Sequence, residues 1–194
     1  MGLGRCRVLC NAYRLGDVYS GYFERHFNLS AVCRAWPATL ACALASGRVP
    51  RSEFCARLRR PAAAPAFAVH LRLGDVLDWP IYRPLSSAYT RPVAYYDRLP
   101  LPHPVVTLYG DAHYRERFGA ARSLAYRDAV VRALAARGAT VRAPLRRPAG
   151  DGASADADFV DLVFATNVSL SFGRFAALAR TCRAQRGLSA EAAP

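Results

Sequence analysis

From Ala66 onward, short apolar runs alternate with segments of helical pattern, and this alternation restricts the chain to a sheet built from crossover units. AFAVHLRL (66–73) and PVVTLYG (104–110) read as strands, each stopped by a glycine. Between them, Thr90-Arg91-Pro92 opens a short helix running toward Arg98, with Pro92 suited to its first turn. Asp111 begins a polar helix toward Phe118. SLAYRDAVVRALAARG (123–138) is the clearest helix: Ser123 starts it, Leu124, Val131, Leu134 and Ala135 form its apolar stripe, and Gly138 stops it. ATVRA (139–143) is a short strand, Ser154 caps the helix DADFVDLVFA (156–165), NVSLSF (167–172) is a strand running into a turn, and GRFAALARTC (173–182) is the closing helix. Strand and helix in this order predict an α/β fold, a mostly parallel sheet with helices on both faces. Such sheets bind ligands beyond the C-terminal ends of their strands, where Gly74-Asp75 and Ser171-Phe172 fall.

The segment before this alternation differs in character. Residues 1–65 read as a short, helical, cysteine-containing N-terminal region, with helix candidates in VYSGYFERHF, in ATLACALA after Pro37, and in SEFCARLRR with Ser52 near its cap. PAAAP (61–65) separates it from the sheet-forming domain, residues 66–184, and residues 185–194 form a flexible tail. Six cysteines, at 6, 10, 33, 42, 55 and 182, show no C-x2-C spacing, and with four histidines nothing resembles a metal shell. Their even number permits disulfides in a secretory compartment, while a chain of this length can equally keep them as buried thiols. Of two N-x-S sequons, at Asn28 and Asn167, the second is expected at the end of a strand, where a glycan is hard to place. No 18-residue apolar stretch and no clear signal peptide is present. The expected location is the Golgi or secretory pathway if a fuller protein carries an anchor, and the cytoplasm otherwise.

The 27 basic residues outnumber 14 acidic ones, giving a formal charge of +13, and every basic residue is arginine. Because these arginines are scattered through helices and loops alike, they reflect a chain-wide preference for arginine over lysine rather than a recognition patch. YRPLSSAYTRPVAYYDRL (82–99) is the best candidate for a basic, aromatic nucleic-acid module, combining Tyr89, Tyr95 and Tyr96 with Arg83, Arg91 and Arg98. The simpler expectation is that its tyrosines pack beneath a loop and helix, with no specific nucleic-acid partner.

The stretch AFAVHLRLGDVLDWP (66–80) concentrates the chemistry. In a strand, Ala68, His70 and Arg72 share one face, and Val69, Leu71 and Leu73 the other. A half-buried strand beside solvent explains this without function. In a parallel crossover unit, however, both faces are covered, and an arginine there needs an anionic partner. That partner is either a protein carboxylate or a phosphate, and a guanidinium fork matches a diphosphate well.

H-L-R-L-G-D, His70 to Asp75, resembles the H-x-R-R-G-D signature of the GDP-fucose-dependent fucosyltransferase superfamily, closest in pattern to the alpha-1,2 enzymes. VTLYGDAHY (106–114) is similar to the strand that the family ends in Ser-Asp-Asp. DADFVDLVFATNVSLSFGRFAALA (156–179) is similar to its D-x-x-D-L helix, short strand, Ser-x-Ser/Thr-Phe turn and alanine-rich helix. The resemblance covers about residues 66–180 in the family's order. It implies a Rossmann-like sheet of the kind that forms the donor-binding half of a GT-B glycosyltransferase. It also implies inverting transfer of fucose from GDP-fucose to a glycan or protein hydroxyl.

By the same resemblance, Arg72 binds the donor diphosphate and helps the nucleotide leave, His70 lies near the nucleotide, Gly74 makes the sharp turn and Asp75 orders the loop. Ser169, Ser171 and Phe172 match the donor-binding turn, and Asp158 and Asp161 the D-x-x-D helix. Leu73 stands where the family has a second arginine. Asp75, Asp111 and His70 are the candidates for the base that takes the acceptor proton. No metal or other cofactor is implied, since an arginine neutralises the leaving group. Only about 65 residues precede the signature, so the lobe that handles the acceptor is expected to be shortened, or the chain to be a fragment. The alternatives are a catalytically inactive relative of the same fold and, behind it, a basic nucleic-acid-binding α/β module.

Overall fold

The computed structural model describes residues 55–56, 58–110, 112, 118–144 and 153–189 of the chain. The expected helices in VYSGYFERHF and ATLACALA, the Ser52 cap, and the helix expected to open at Asp111 lie outside them, apart from Ala112 and Phe118. The described elements run β1 (Phe67–His70), α1 (Asp75–Asp78), a 3-10 helix (Arg83–Ala88), α2 (Val93–Tyr96), β2 (Val105–Tyr109), α3 (Ala121–Ala136), β3 (Thr140–Arg142), α4 (Ala153–Phe164), β4 (Asn167–Leu170) and α5 (Arg174–Gln185).

The four strands form one all-parallel sheet in the order β3-β2-β1-β4. The chain therefore steps outward from β1 through β2 to β3, then crosses back to place β4 on the other side of β1. Alternate side chains feed two separate cores. Phe67, Val69, Leu71 and Leu73 pack with Val106, Leu108, Val130 and Leu134 on the α2 and α3 side. Ala68 and Tyr109 pack with Phe159, Leu162, Val168, Ala176 and Ala179 on the α4 and α5 side. Both faces of β1 are covered, which rules out the half-exposed strand and explains its continuous burial. Gly110 ends β2 with φ 143°, and a Cβ there would meet Leu71 O at 2.7 Å, so only glycine lets β2 leave the sheet this close to β1.

Several local expectations need correction. The stripe on α3 is Val130, Ala133 and Leu134, with Leu124 40% exposed and Ala135 on the surface. Helix α3 begins at Ala121, so Ser123 lies inside its first turn as a buried side chain rather than at its start. Helix α4 likewise begins at Ala153, one residue before the Ser154 expected to cap it. In both cases the helix starts before the polar residue that looked like a cap. Asn167 opens β4 rather than ending a strand, and its amide donates to Ala66 O at 3.4 Å. Helix α5 runs three residues past the expected end at Cys182, and Leu188 N–H donates to Arg183 O across its end.

Cys55 and Cys182 form a disulfide, with Cα atoms 4.8 Å apart, that joins the region before the sheet to α5. Arg186 reinforces the same junction by donating to Cys55 O (2.6 Å) and Leu58 O (2.7 Å) while its guanidinium lies over the Phe164 ring. The bridge spans 127 positions of sequence, so its removal relieves a large constraint on the unfolded chain. Cys182→Ala is expected to cost about 2 to 5 kcal/mol in urea unfolding. Wild-type protein in reductant should lose a similar amount, and equal stability with and without reductant would contradict the pairing.

Candidate functional site

The strand order reverses between β1 and β4, and the C-terminal ends of these two adjacent parallel strands are the place where open parallel sheets take ligands. His70 is in register with Leu170, and Ser171 N–H donates to His70 O at 3.2 Å, so the two segments singled out from sequence lie side by side.

On the β1 side, Gly74 turns the chain with φ 83°. Its N–H donates to Ser123 Oγ at 2.8 Å, and Leu77 and Asp78 N–H return to Gly74 O at 3.0 and 2.9 Å. Asp78, only 4% exposed, accepts from Ser123 Oγ and, at 3.0 Å, from Arg122 N–H. A carboxylate brought from the β1 turn thus caps the 16-residue α3, whose own N-cap residue is an alanine. This anchorage fixes the rim on which Arg72 stands. Arg72 Nη2 pairs with Asp75 Oδ1 at 2.6 Å, and Nη1 donates to Leu73 O at 3.0 Å. Of the two partners considered from sequence, a protein carboxylate is present.

On the β4 side, the turn Ser171-Phe172-Gly173 leads into α5, and Gly173 has φ 98°. A Cβ at Gly173 would lie 4.0 Å from Arg72 Cδ, which places the arginine against the start of a 12-residue helix. Ser171 is 1% exposed and shares a 2.8 Å hydrogen bond with His70 Nδ1, so it is neither a helix cap nor an open phosphate ligand. Ser169 is equally buried and shares a 3.1 Å bond with Tyr95 OH. Phe172 N–H donates to Tyr89 O at 3.3 Å. Arg180, from the second turn of α5, reaches back to donate to Leu170 O (3.0 Å) and Ser171 O (2.9 Å). Arg91 donates to Leu170 O at 3.4 Å, and its guanidinium carbon lies over the rings of Tyr95 and Phe172, 4.6 and 4.5 Å from their centroids.

Asp158 and Asp161 act elsewhere, at the end of β2. Asp161 Oδ2 accepts from Tyr109 OH at 3.1 Å, and burial followed by the two carboxylates raises the Tyr109 pKa well above its usual value. Asp111 lies outside the described residues. Tyr96, one of the aromatics considered for nucleic-acid binding, is buried with its hydroxyl against Tyr126. Leu73, at the position of the family's second arginine, is buried in the core at 2% exposure. Among the described residues no three His, Cys, Asp or Glu side chains form a metal-binding group, and no helix is long and apolar enough to cross a membrane. Comparison with protein-family models, with curated proteins and with solved structures returned no match.

His70 is held neutral. Burial, then Arg72, then Arg180 lower its pKa from 6.5 to about 3, and its ring packs on Phe175 with centroids 5.3 Å apart. Through its 2.8 Å hydrogen bond to Ser171 Oγ the ring braces the Ser171 turn. The depressed pKa has a stability consequence. Between about pH 6.5 and 3 the unfolded chain binds a proton that the folded chain excludes, so stability is full above 6.5 and falls as the pH drops. The slope expected from this residue is up to about 1.4 kcal/mol per pH unit. Urea unfolding at pH 7.5 and 5 should show the loss in the wild type and a smaller one in His70→Gln. Parallel losses in both would contradict the assignment.

Proposed function

We propose that the site between the ends of β1 and β4 binds the diphosphate of GDP-fucose, and that the chain carries the donor-binding half of a GT-B, fucosyltransferase-type glycosyltransferase. One observation carries this reading: Arg72 stands where the strand order reverses, against the start of α5. Parallel sheets take phosphates at that place, and a helix start and a guanidinium both favour a diphosphate. The order of motifs supports guanine and fucose as the rest of the ligand.

In the proposed reaction the acceptor hydroxyl attacks the anomeric carbon of fucose with inversion, gives its proton to a base for which Asp75, Asp111 and His70 are the candidates, and the bond to the diphosphate breaks, releasing GDP. Arg72 stabilises the charge growing on the leaving phosphate oxygen. Asp75, 2.6 Å from Arg72, holds the guanidinium at the rim. No resident cofactor enters this scheme. The acceptor is a glycan or protein hydroxyl, and the Cys55–Cys182 disulfide supports maturation in an oxidising, secretory compartment.

A second reading, a nucleotide-binding relative without catalysis, has its own support. The amides of Ser171 and Phe172 and the hydroxyls of Ser169 and Ser171 are all engaged inside the protein. Titration with GDP and GDP-fucose against UDP, ADP and inorganic phosphate tests both. Guanine-selective binding with fucose release supports the transferase, and the same binding without turnover supports the inactive relative. Equal, weak, salt-sensitive binding of every nucleotide would reflect only the +13 charge and would end the proposal.

A further inference from the structure

Both Nη atoms of Arg72 are held by the two residues that flank Gly74: Nη1 donates to Leu73 O at 3.0 Å, and Nη2 pairs with Asp75 Oδ1 at 2.6 Å. The direction of the guanidinium therefore follows the Gly74 turn, whose φ of 83° only glycine adopts without strain. Gly74 O accepts from Leu77 and Asp78 N–H, at 3.0 and 2.9 Å, within the same segment. Gly74 N–H is claimed from outside it, by Ser123 Oγ at 2.8 Å, 49 positions away. The Ser123 hydroxyl has a single proton, which goes to Asp78 Oδ2, while Asp78 Oδ1 accepts from Arg122 N–H at 3.0 Å. With its proton committed to the carboxylate, Ser123 Oγ meets Gly74 only as an acceptor, so the relay has one direction. Ser123 is 0% and Asp78 4% exposed, which keeps solvent from competing for these bonds. Capping α3 requires only the carboxylate on Arg122 N–H; the hydroxyl that reaches on to Gly74 serves the turn.

We infer that Ser123 and Asp78 are positioning residues of the proposed phosphate site, which act through Arg72 by holding the turn that aims its guanidinium. This role rests on the nucleotide reading above and extends the binding machinery from the end of β1 to the start of α3. A binding side chain keeps its productive direction only when hydrogen bonds behind it fix its support, and the relay from Asp78 through Ser123 to Gly74 is that support.

The test is a double-mutant cycle. GDP is titrated calorimetrically into the wild type, Ser123→Ala, Arg72→Ala and the double variant, and thermal unfolding of each is recorded. Alanine preserves the helix and removes only the hydroxyl. Ser123→Ala should weaken GDP binding roughly 3- to 30-fold when Arg72 is present and less than about twofold when it is replaced, because no guanidinium is then left to aim. Its Tm should fall by the same amount in both backgrounds, since the relay is built without Arg72. Arg72→Lys supplies the second background if the alanine variant binds too weakly to titrate; the loss there should also shrink, because an ammonium lacks the fork that spans Leu73 and Asp75. Asp78→Asn, which keeps the volume but leaves one acceptor for two donors, replaces Ser123→Ala if that variant does not fold, with the same expectations. A lowered Tm with unchanged GDP affinity, or an affinity loss equal in both backgrounds, would overturn the positioning role and leave the Arg72 site standing. Absence of GDP binding by the wild type would instead remove the nucleotide reading itself, and this inference with it.

Discussion

Arg72→Ala is expected to weaken GDP binding by roughly 1.5 to 3 kcal/mol, about 10- to 150-fold, because it removes a charge-assisted contact at the switch point of the sheet. The loss in the proposed fucose transfer should be larger. Negative charge on the bridging oxygen grows as the sugar departs, and a donor aimed at developing charge is worth about 100- to 1000-fold in rate. Arg72→Lys should recover part of the affinity and less of the rate, since an ammonium supplies charge without the fork. The fold should survive the alanine change: Arg72 is half-buried at the rim, and the Gly74 turn is held independently by Asp78 and Ser123. Thermal unfolding within a few degrees of the wild type checks that. An alanine variant that folds and binds GDP as tightly as the wild type would contradict the site.

The second large effect lies away from the ligand. Arg183 is 0% exposed, yet five backbone carbonyls accept from its guanidinium: Leu162 (3.1 Å), Val163 (3.0 Å), Ala165 (2.7 Å), Thr166 (3.5 Å) and Ser189 (2.6 Å). The first four belong to the end of α4 and the two residues after it, where a helix leaves carbonyls without partners. Burial lowers the Arg183 pKa to about 10, so at neutral pH the group remains the cation that a helix C-terminus favours. Arg183→Leu fills the space and leaves those carbonyls in an apolar setting. With about 1 to 3 kcal/mol for each buried group left unsatisfied, the expected cost is about 3 kcal/mol or more. Domains of this size are stable by only about 5 to 15 kcal/mol, so this variant should unfold well below the urea midpoint of the wild type. Because α4 feeds β4, whose end carries the Ser171 turn, GDP binding should disappear at the same denaturant concentration. A midpoint equal to that of the wild type would show that water or neighbouring donors replace the arginine.

The parts of the fold that depend on period were legible in the sequence. β1, β2, β3 and β4 each announce themselves as short apolar runs, and Gly110 and Gly173 mark the ends of β2 and the start of α5. The adjacency of His70 and Ser171 followed from placing both at C-terminal strand ends of one parallel sheet. What eluded the sequence were contacts over long separations. Asp78 caps a helix more than 40 positions away, and nothing in DVLDWP distinguishes it from a solvated aspartate. Arg183 and Arg186 look like two more members of an arginine-rich helix, and only the return of α5 past α4 and Cys55 gives them buried partners. Arg91 was visible as a basic residue among tyrosines, which equally suggested a nucleic-acid surface. Its place over the rings of Tyr95 and Phe172 required knowing that residue 172 sits beside residue 91. The disulfide belongs to the same class, since spacing alone left the cysteines open between thiols and bridges.

A structure of the full chain in complex with GDP tests the central claim most directly. The predicted result is a diphosphate lodged between the ends of β1 and β4, with a phosphoryl oxygen within about 2.7 to 3.0 Å of Arg72 Nη1 or Nη2 and the phosphates facing the start of α5. GDP bound with its diphosphate away from this site, leaving the Arg72 and Gly173 surroundings unchanged, would contradict it.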